Sequence, residues 1–208
     1  MIVTALRNQP AVTSLQLARL AVEFQGHGVV GFDLAGGEAG NPASVHAAAF
    51  AHAQENGLPC TCHAGEGAGA ASVADALHSC NAHRIGHGTR LGEDQALLAE
   101  VRDRGIAVEC CLTSNIQTHA AASFDTHPFR AYFDAGLQVS LNTDNRLMSG
   151  TDLVTEYGLA AKHLDFTFDE LCRVARIGFT NAFLPDAERT ALVAKMDQEF
   201  ETLRRSVA

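Results

Sequence analysis

His63 and Glu66 stand three residues apart, separated by Ala64 and Gly65. An imidazole nitrogen can ligate a metal, and a carboxylate one short turn away can move a proton beside it. Two further groups sit in similar settings. His87 ends Arg84-Ile85-Gly86-His87, and Asp144 ends Ser140-Leu141-Asn142-Thr143-Asp144. Two imidazoles and two carboxylates are the residue types of metal-assisted hydrolysis. Zinc takes histidine nitrogen and carboxylate oxygen, keeps one position open for water, and lowers the pKa of that water toward ~7. In that arrangement His63 and Asp144 are the donors, Glu66 a general acid, and His87 a polar group orienting the water. His63 taken singly reads more simply as a hydrogen-bonded core histidine; the reading rests on the set.

The elements that must position these groups follow one pattern, an apolar run stopping at a polar residue. Ile2–Leu6, Val29–Phe32, Leu58–His63, Arg84–His87, Ile106–Cys111 and Leu137–Leu141 read as strands. Helices are predicted between and after them: from Ser14 as N-cap to Gln25, after the Asn41-Pro42 cap to Gly57, then Ala71–Ser79, Glu93–Arg104, Pro128–Asp134, Thr151–Lys162, Thr167–Phe179 and Pro185–Arg205. Alternation of apolar strands with helices predicts a parallel sheet covered by helices. An open doubly wound sheet needs functional groups at one switch point only. Here Asp33, His63, His87, Ser114 with Asn115, and Asp144 mark five strand ends. That distribution predicts an α/β barrel of the (β/α)8 TIM type, whose strand ends all face one mouth. Six strands in 208 residues amount to about six of its eight units. The expectation is one domain over 1–208 that lacks its N-terminal part.

Other residues carry plainer expectations. Asp33 reads equally as a cap on the loop after its strand. Ser114 either feeds a hydrogen bond into the mouth or satisfies loop backbone. Glu109 is expected to pair with a basic neighbour. His27, His46, His52, His78 and His119 are expected to be solvated. Gly65, Gly67 and Ala70 fit a loose G-x-G-x-x-A pattern, but Glu66 would repel a pyrophosphate there and no acidic residue ends the next strand to hold a ribose.

The formal charge of −9 and the lack of a basic run argue against nucleic-acid binding. No run approaches the roughly 20 apolar residues of a membrane span, and no signal-peptide pattern is present. The six cysteines are too sparse for a disulfide scaffold and predict buried, reduced thiols in a cytoplasmic protein.

Several segments together resemble the adenosine deaminase family of metal-dependent hydrolases. They are His63-Ala64-Gly65-Glu66, Arg84-Ile85-Gly86-His87-Gly88 and Ser140-Leu141-Asn142-Thr143-Asp144, with Gly31-Phe32-Asp33-Leu34-Ala35-Gly36, Thr113-Ser114-Asn115 and Ala182-Phe183-Leu184-Pro185 beside them. The resemblance implies a (β/α)8 barrel converting adenosine to inosine and ammonia, a Zn2+ cofactor, and a small-molecule purine nucleoside as partner. It implies His63 as a zinc ligand and Glu66 as the acid that protonates purine N1 while hydroxide adds at C6. His87 would orient that hydroxide. Asp144 would be both zinc ligand and base. Gly36 would meet purine N3 through its amide.

Where animal members carry a second aspartate, this chain has Asn145, whose amide can donate to N7 at any pH. The H-x-E and P-C-x-x-C signature of cytidine-type deaminases is absent. The family's H-x-H pair on its first strand is also absent from these 208 residues. The resemblance therefore implies two further histidine ligands, supplied by a complementing N-terminal segment. The alternatives are a non-catalytic remnant or split half, and a relative acting on adenine or another aminopurine.

Overall fold

The computed structural model describes residues 1–207. Six strands, all parallel, run in the order of the sequence. β1 (Ile2–Leu6) pairs with β2 (Gly31–Ala35), and β3 (Thr61–Ala64), β4 (Arg84–His87), β5 (Ala107–Cys110) and β6 (Gln138–Leu141) form a four-stranded sheet. A single parallel bridge, Phe32 to Cys60, joins the two sheets, with the Phe32 N–H donating to Pro59 O at 3.0 Å. Sequential order with no reversal is the arrangement of a barrel wall, and it excludes a doubly wound sheet. The fold is a partial α/β barrel, six strands in barrel order with no pairing of β6 to β1 among the described residues.

Helices α1 (Ala11–Glu23), α2 (Ala47–Glu55), α3 (Ala70–His78) and α4 (Gln95–Asp103) fill the first four connections. After β5 come α5 (Leu112–Gln117) and α6 (Phe129–Asp134). After β6 come α7 (Arg146–Ser149), α8 (Leu153–His163), α9 (Phe168–Thr180) and α10 (Asp186–Val207). Their starts have visible causes. Asp94 accepts from the N–H groups of Ala96 and Leu97 to open α4, and Thr167 with Glu170 makes a capping box for α9.

The chain departs from the sequence reading at five places. β2 begins two residues later than Val29 and runs through Asp33 to Ala35, because its paired register spans Ile2↔Gly31 to Leu6↔Ala35. The 113–115 segment is helical in α5, and 146–149 forms the short α7. Ser14 does not cap α1; it lies inside the helix on a buried face with Ala18 and Ala21. Asn41 gives α2 no side-chain cap; its amide donates to Gly37 O and Ala39 O, and a 3-10 turn over Ala43–His46 leads into the helix.

The buried face of α1 also accounts for His46, which was expected in solvent. Ser14 Oγ lies 2.8 Å from His46 Nδ1, and His46 Nε2 lies 3.2 Å from Arg7 O, in a site only 1% exposed. Small residues at helical spacing bring α1 close enough to bury that pair.

One core of buried residues runs under all six strands and includes Phe32, Phe50, Leu58, Ile85, Leu112, Phe129 and Val139. At the N-terminal end of the strands, Phe183 closes the core. Its ring lies 3.5 Å beneath the Arg84 guanidinium, and a Cβ on Gly31 would fall 2.7 Å from Phe183 Cδ2 and 3.2 Å from Pro59 O. Gly31→Ala is therefore expected to lower stability by about 1–3 kcal/mol through overpacking. The urea midpoint reads this; an unchanged midpoint would show that the ring swings aside freely. No helix among the described residues is long and apolar enough to cross a membrane.

Candidate active site at the C-terminal rim of the strands

Each functional side chain reaches the rim from its own strand. His63 is the third residue of β3, His87 the last of β4, and Asp144 lies three residues beyond β6. His63, His87 and Asp144 together line two adjoining cavities of about 430 and 400 Å³. The first also takes in Asp33, Glu109 and Asn145, and the second Gly36, Glu38, Glu66 and Thr118. The residues read from the sequence as one site thus meet at one mouth.

The backbone is bent to deliver two of them. His87 has φ +64° and Asp144 φ +53°, in the left-handed region that non-glycine residues rarely adopt. Such conformations persist where surrounding structure over-determines them, and they concentrate at functional sites. His87 is buried and its ring centroid lies 5.0 Å from that of His63. Asp144 is exposed, and its Oδ2 accepts from Ser114 Oγ at 2.8 Å. Of the two roles open to Ser114, the structure gives it the bond into the mouth.

Asp33 is not a loop cap. It lies within β2, accepts from Thr4 Oγ1 at 3.2 Å, and faces His63 Nδ1 at 3.1 Å. Burial works to lower the His63 pKa, but the hydrogen bond and charge of Asp33 outweigh it and hold the imidazole at about 9. His87 has no such partner at close range. Burial draws it below its ordinary value, against the pull of Glu66, whose Oε2 is 3.5 Å from His87 Nε2. The other Glu66 oxygen accepts from Thr118 Oγ1 at 2.9 Å. Glu109 pairs with Arg84 at 3.0 Å, as its position in the strand suggested, and accepts from Thr61 Oγ1 at 2.8 Å. Asn145 caps α7 with its oxygen, accepting from the Leu147 and Met148 N–H groups at 3.2 Å, which leaves its NH2 as the group for other partners.

Glu38 received no role from the sequence, and the structure gives it a large one. Its Oε1 accepts from Gly65 N–H at 2.6 Å, and its Oε2 from the N–H groups of Glu66, Gly67 and Ala68 at 2.9, 2.6 and 3.1 Å. One carboxylate therefore shapes the whole turn that carries Glu66. Gly65 completes the turn with φ +74°, and a Cβ there would fall 2.7 Å from Val73 Cγ2. The only hint in the sequence was an acidic residue beside two glycines at a strand end. Asn115 and His127 were also missed as a pair; both are buried behind His87.

As metal donors, His63 and Asp144 offer one nitrogen and one carboxylate. Catalytic zinc takes three protein ligands and a water. Among the described residues no group of three His, Cys, Asp or Glu is placed to hold a metal ion. The donors in these residues do not make up a zinc site by themselves. With Nδ1–H donated to Asp33, the nitrogen left for a metal is Nε2, and ligation there would release the proton that Nε2 carries in the imidazolium.

All six cysteines are unpaired and buried. Burial pushes the thiols of Cys60, Cys80 and Cys110 up to about 12, which makes them poor nucleophiles.

A sequence profile described as adenosine deaminase matches residues 1–199. An adenosine deaminase of Mycobacterium tuberculosis is 38% identical over 203 residues, which take in 92% of this chain and 55% of that protein. The chain thus spans about half the length of that curated relative. Among solved structures, N6-methyl-AMP deaminase from Arabidopsis thaliana matches with a TM-score of 0.87 at 29% identity, over 95% of this chain and 58% of that one. Adenine deaminase from Arthrobacter aurescens matches with a TM-score of 0.88 at 25% identity, over 96% and 61%.

Proposed function

The chain belongs to the adenosine deaminase family, and from that premise we propose that it carries the purine-facing part of a site for hydrolytic deamination of adenosine or deoxyadenosine. The observation that carries this is the convergence of His63, Glu66, His87 and Asp144, from three strands, on one cavity of about 400 Å³. In this reading Glu66 gives a proton to purine N1 as water adds at C6. That proton matters because addition breaks the ring's aromaticity and loads electron density on N1. His87 donates a hydrogen bond to the oxygen that adds, and Asp144 takes the proton the water loses. The Gly36 amide meets N3, and the Asn145 NH2 donates to N7. Asp144 passes that proton to the departing amino group, which leaves as ammonia, and the C6 hydroxyl proton returns to Glu66 as the carbonyl of inosine forms, a purine salvage step carried out in the cytoplasm.

Zn2+ is the cofactor of this reading, where it would activate the water. His63 and Asp144 are its donors within these residues. Two further imidazoles would come from a complementing N-terminal segment. Charge favours a nucleoside or free base over a nucleotide. The two cavities are lined by Asp33, Glu38, Glu66, Glu109 and Asp144 and by no lysine or arginine, so a substrate phosphate would meet like charge.

The test uses the 208-residue chain and a fusion of it to the N-terminal strands of the mycobacterial relative. The chain by itself is expected to hold no stoichiometric zinc and to leave adenosine unchanged. The fusion is expected to hold one zinc and to deaminate adenosine, followed by the fall in ultraviolet absorbance. Glu66→Gln in the fusion should lower kcat by about 10²–10⁴ while the zinc stays. A folded, zinc-loaded fusion that acts on adenine or AMP in preference to adenosine, or on none of them, would overturn the assignment.

A further inference from the structure

The groove behind His87 holds a chain of hydrogen bonds that begins on a fixed donor. The Phe129 backbone N–H donates to His127 Nδ1 at 3.1 Å. A peptide N–H has no acceptor form, so His127 Nδ1 carries no proton, and a neutral His127 must carry it on Nε2. That Nε2 lies 3.1 Å from Asn115 Oδ1, which accepts. The other end of the amide, Nδ2, is then a donor, and it lies 3.0 Å from His87 Nδ1. His87 Nδ1 is therefore an acceptor, and the ring proton of neutral His87 sits on Nε2. His87 Nε2 faces the cavity and the Glu66 carboxylate at 3.5 Å.

Reversing this order meets a clash at every step. A proton on His87 Nδ1 would oppose the Asn115 NH2. Turning the Asn115 amide over would set its NH2 against His127 Nε2–H. Moving the His127 proton to Nδ1 would oppose the Phe129 N–H, which cannot turn without unwinding the start of α6. Water offers no escape, because Asn115 is 0%, His87 2% and His127 3% exposed. A buried donor facing a donor costs the full desolvation of both groups. Burial also holds His127 neutral, with its pKa lowered to about 4.

We propose that Asn115 and His127 are positioning residues which lock His87 in its Nε2–H tautomer, so that His87 meets the cavity as a hydrogen-bond donor and never as an acceptor. Its consequence for catalysis rests on the deaminase reading above. There, His87 donates to the oxygen that adds at C6 and is barred from taking that oxygen's proton. The base of the reaction must then be another group, and Asp144 is the carboxylate at hand. Which nitrogen of a histidine is free is commonly set by what the other nitrogen bonds; here the setting is relayed from a backbone amide through two buried side chains.

The test is long-range proton–nitrogen NMR on the 208-residue chain labelled with 15N-histidine, which reads the protonated ring nitrogen directly. His87 and His127 are both expected to show a protonated Nε2 and a bare Nδ1. In Asn115→Asp the carboxylate has no donor to offer, so the proton of His87 is expected to move to Nδ1. His127→Phe frees the amide to turn, and His87 should then show a mixture of tautomers. Protonated Nδ1 at His87 in the parent chain overturns the proposal, and so does an unchanged His87 pattern in both folded variants. These readouts need neither metal nor turnover. In the active fusion, Asn115→Asp should lower kcat with KM little changed. A fusion without deaminase activity whose parent shows the Nε2–H pattern would remove the catalytic reading and leave the relay standing.

Discussion

Glu38→Ala is expected to destabilise the chain by about 3 kcal/mol or more, the largest loss from any single polar side chain at the rim. The substitution strips the acceptor from four consecutive backbone N–H groups, at Gly65, Glu66, Gly67 and Ala68. Hydrogen bonds to a charged acceptor contribute roughly 1.5–3 kcal/mol each, and buried donors left without partners cost about 1–3 kcal/mol. The four are not additive because they share two oxygens, and part of the turn can reach water once the carboxylate is gone. Glu38→Gln sharpens the claim. A glutamine keeps one acceptor oxygen, which can serve the three N–H groups on the Oε2 side, but its NH2 would then face Gly65 N–H. It is expected to cost about 2 kcal/mol, between the parent and the alanine variant. Urea unfolding measures both. If the glutamine variant matches the parent, the charge of Glu38 has no part in holding the turn. In the active fusion Glu38→Gln is also expected to lower kcat, since Glu66 rides on that turn.

Acid should unfold the chain in part through His127. Burial, aided by the charge of His87, depresses the His127 pKa from 6.5 to about 4. Unfolded, the imidazole takes up a proton near pH 6.5; folded, it does so only near pH 4. Between those values the unfolded state binds more protons, so stability falls as pH falls. The contribution of His127 is fully present above pH 6.5 and is lost as pH drops through about 4. A shift of this size corresponds to about 3 kcal/mol. Measured as the free energy of unfolding against pH, the parent is expected to lose about 3 kcal/mol more than His127→Gln between pH 7 and pH 4. Parallel curves for the two proteins would show that His127 titrates alike in both states. His63, held at about 9 by Asp33, works in the opposite sense, because its contribution is lost as pH rises toward 9. The comparison with the variant isolates His127 from it.

Much of the site was readable before the structure, because its members end apolar runs. His63, His87 and Asp144 each stop or follow a hydrophobic stretch, and a parallel barrel sends such endings to one rim. What stayed hidden was whatever depends on register or on contacts between distant loops. Asp33 read equally as a group at the mouth and as a loop cap, because the apolar run ends at Phe32, whereas β2 continues to Ala35. That extension places it inside the strand, opposite Thr4 and beside His63. His46 looked solvated because it lies in a connecting segment outside the strands. Its burial follows from Ser14, 32 residues earlier in the chain. Glu38 acts on a turn 27 to 30 residues away, and Asn115 and His127 meet across a loop. No local pattern records such pairings; only the packed fold brings them together. Helix starts fared better where a side chain caps its own backbone, as at Thr167, and failed at Ser14 and Asn41, whose side chains bond elsewhere.

The left-handed backbone at Asp144 narrows what evolution can put there. Glycine would relieve roughly 1 kcal/mol of backbone strain. It would also strip the acceptor from Ser114 Oγ, on a side chain only 3% exposed, at a cost of about 1–3 kcal/mol. Asparagine escapes both penalties, since it tolerates the left-handed backbone and keeps an oxygen for Ser114. Libraries sorted for heat resistance without an activity screen are therefore expected to admit Asp144→Asn and to deplete Asp144→Gly.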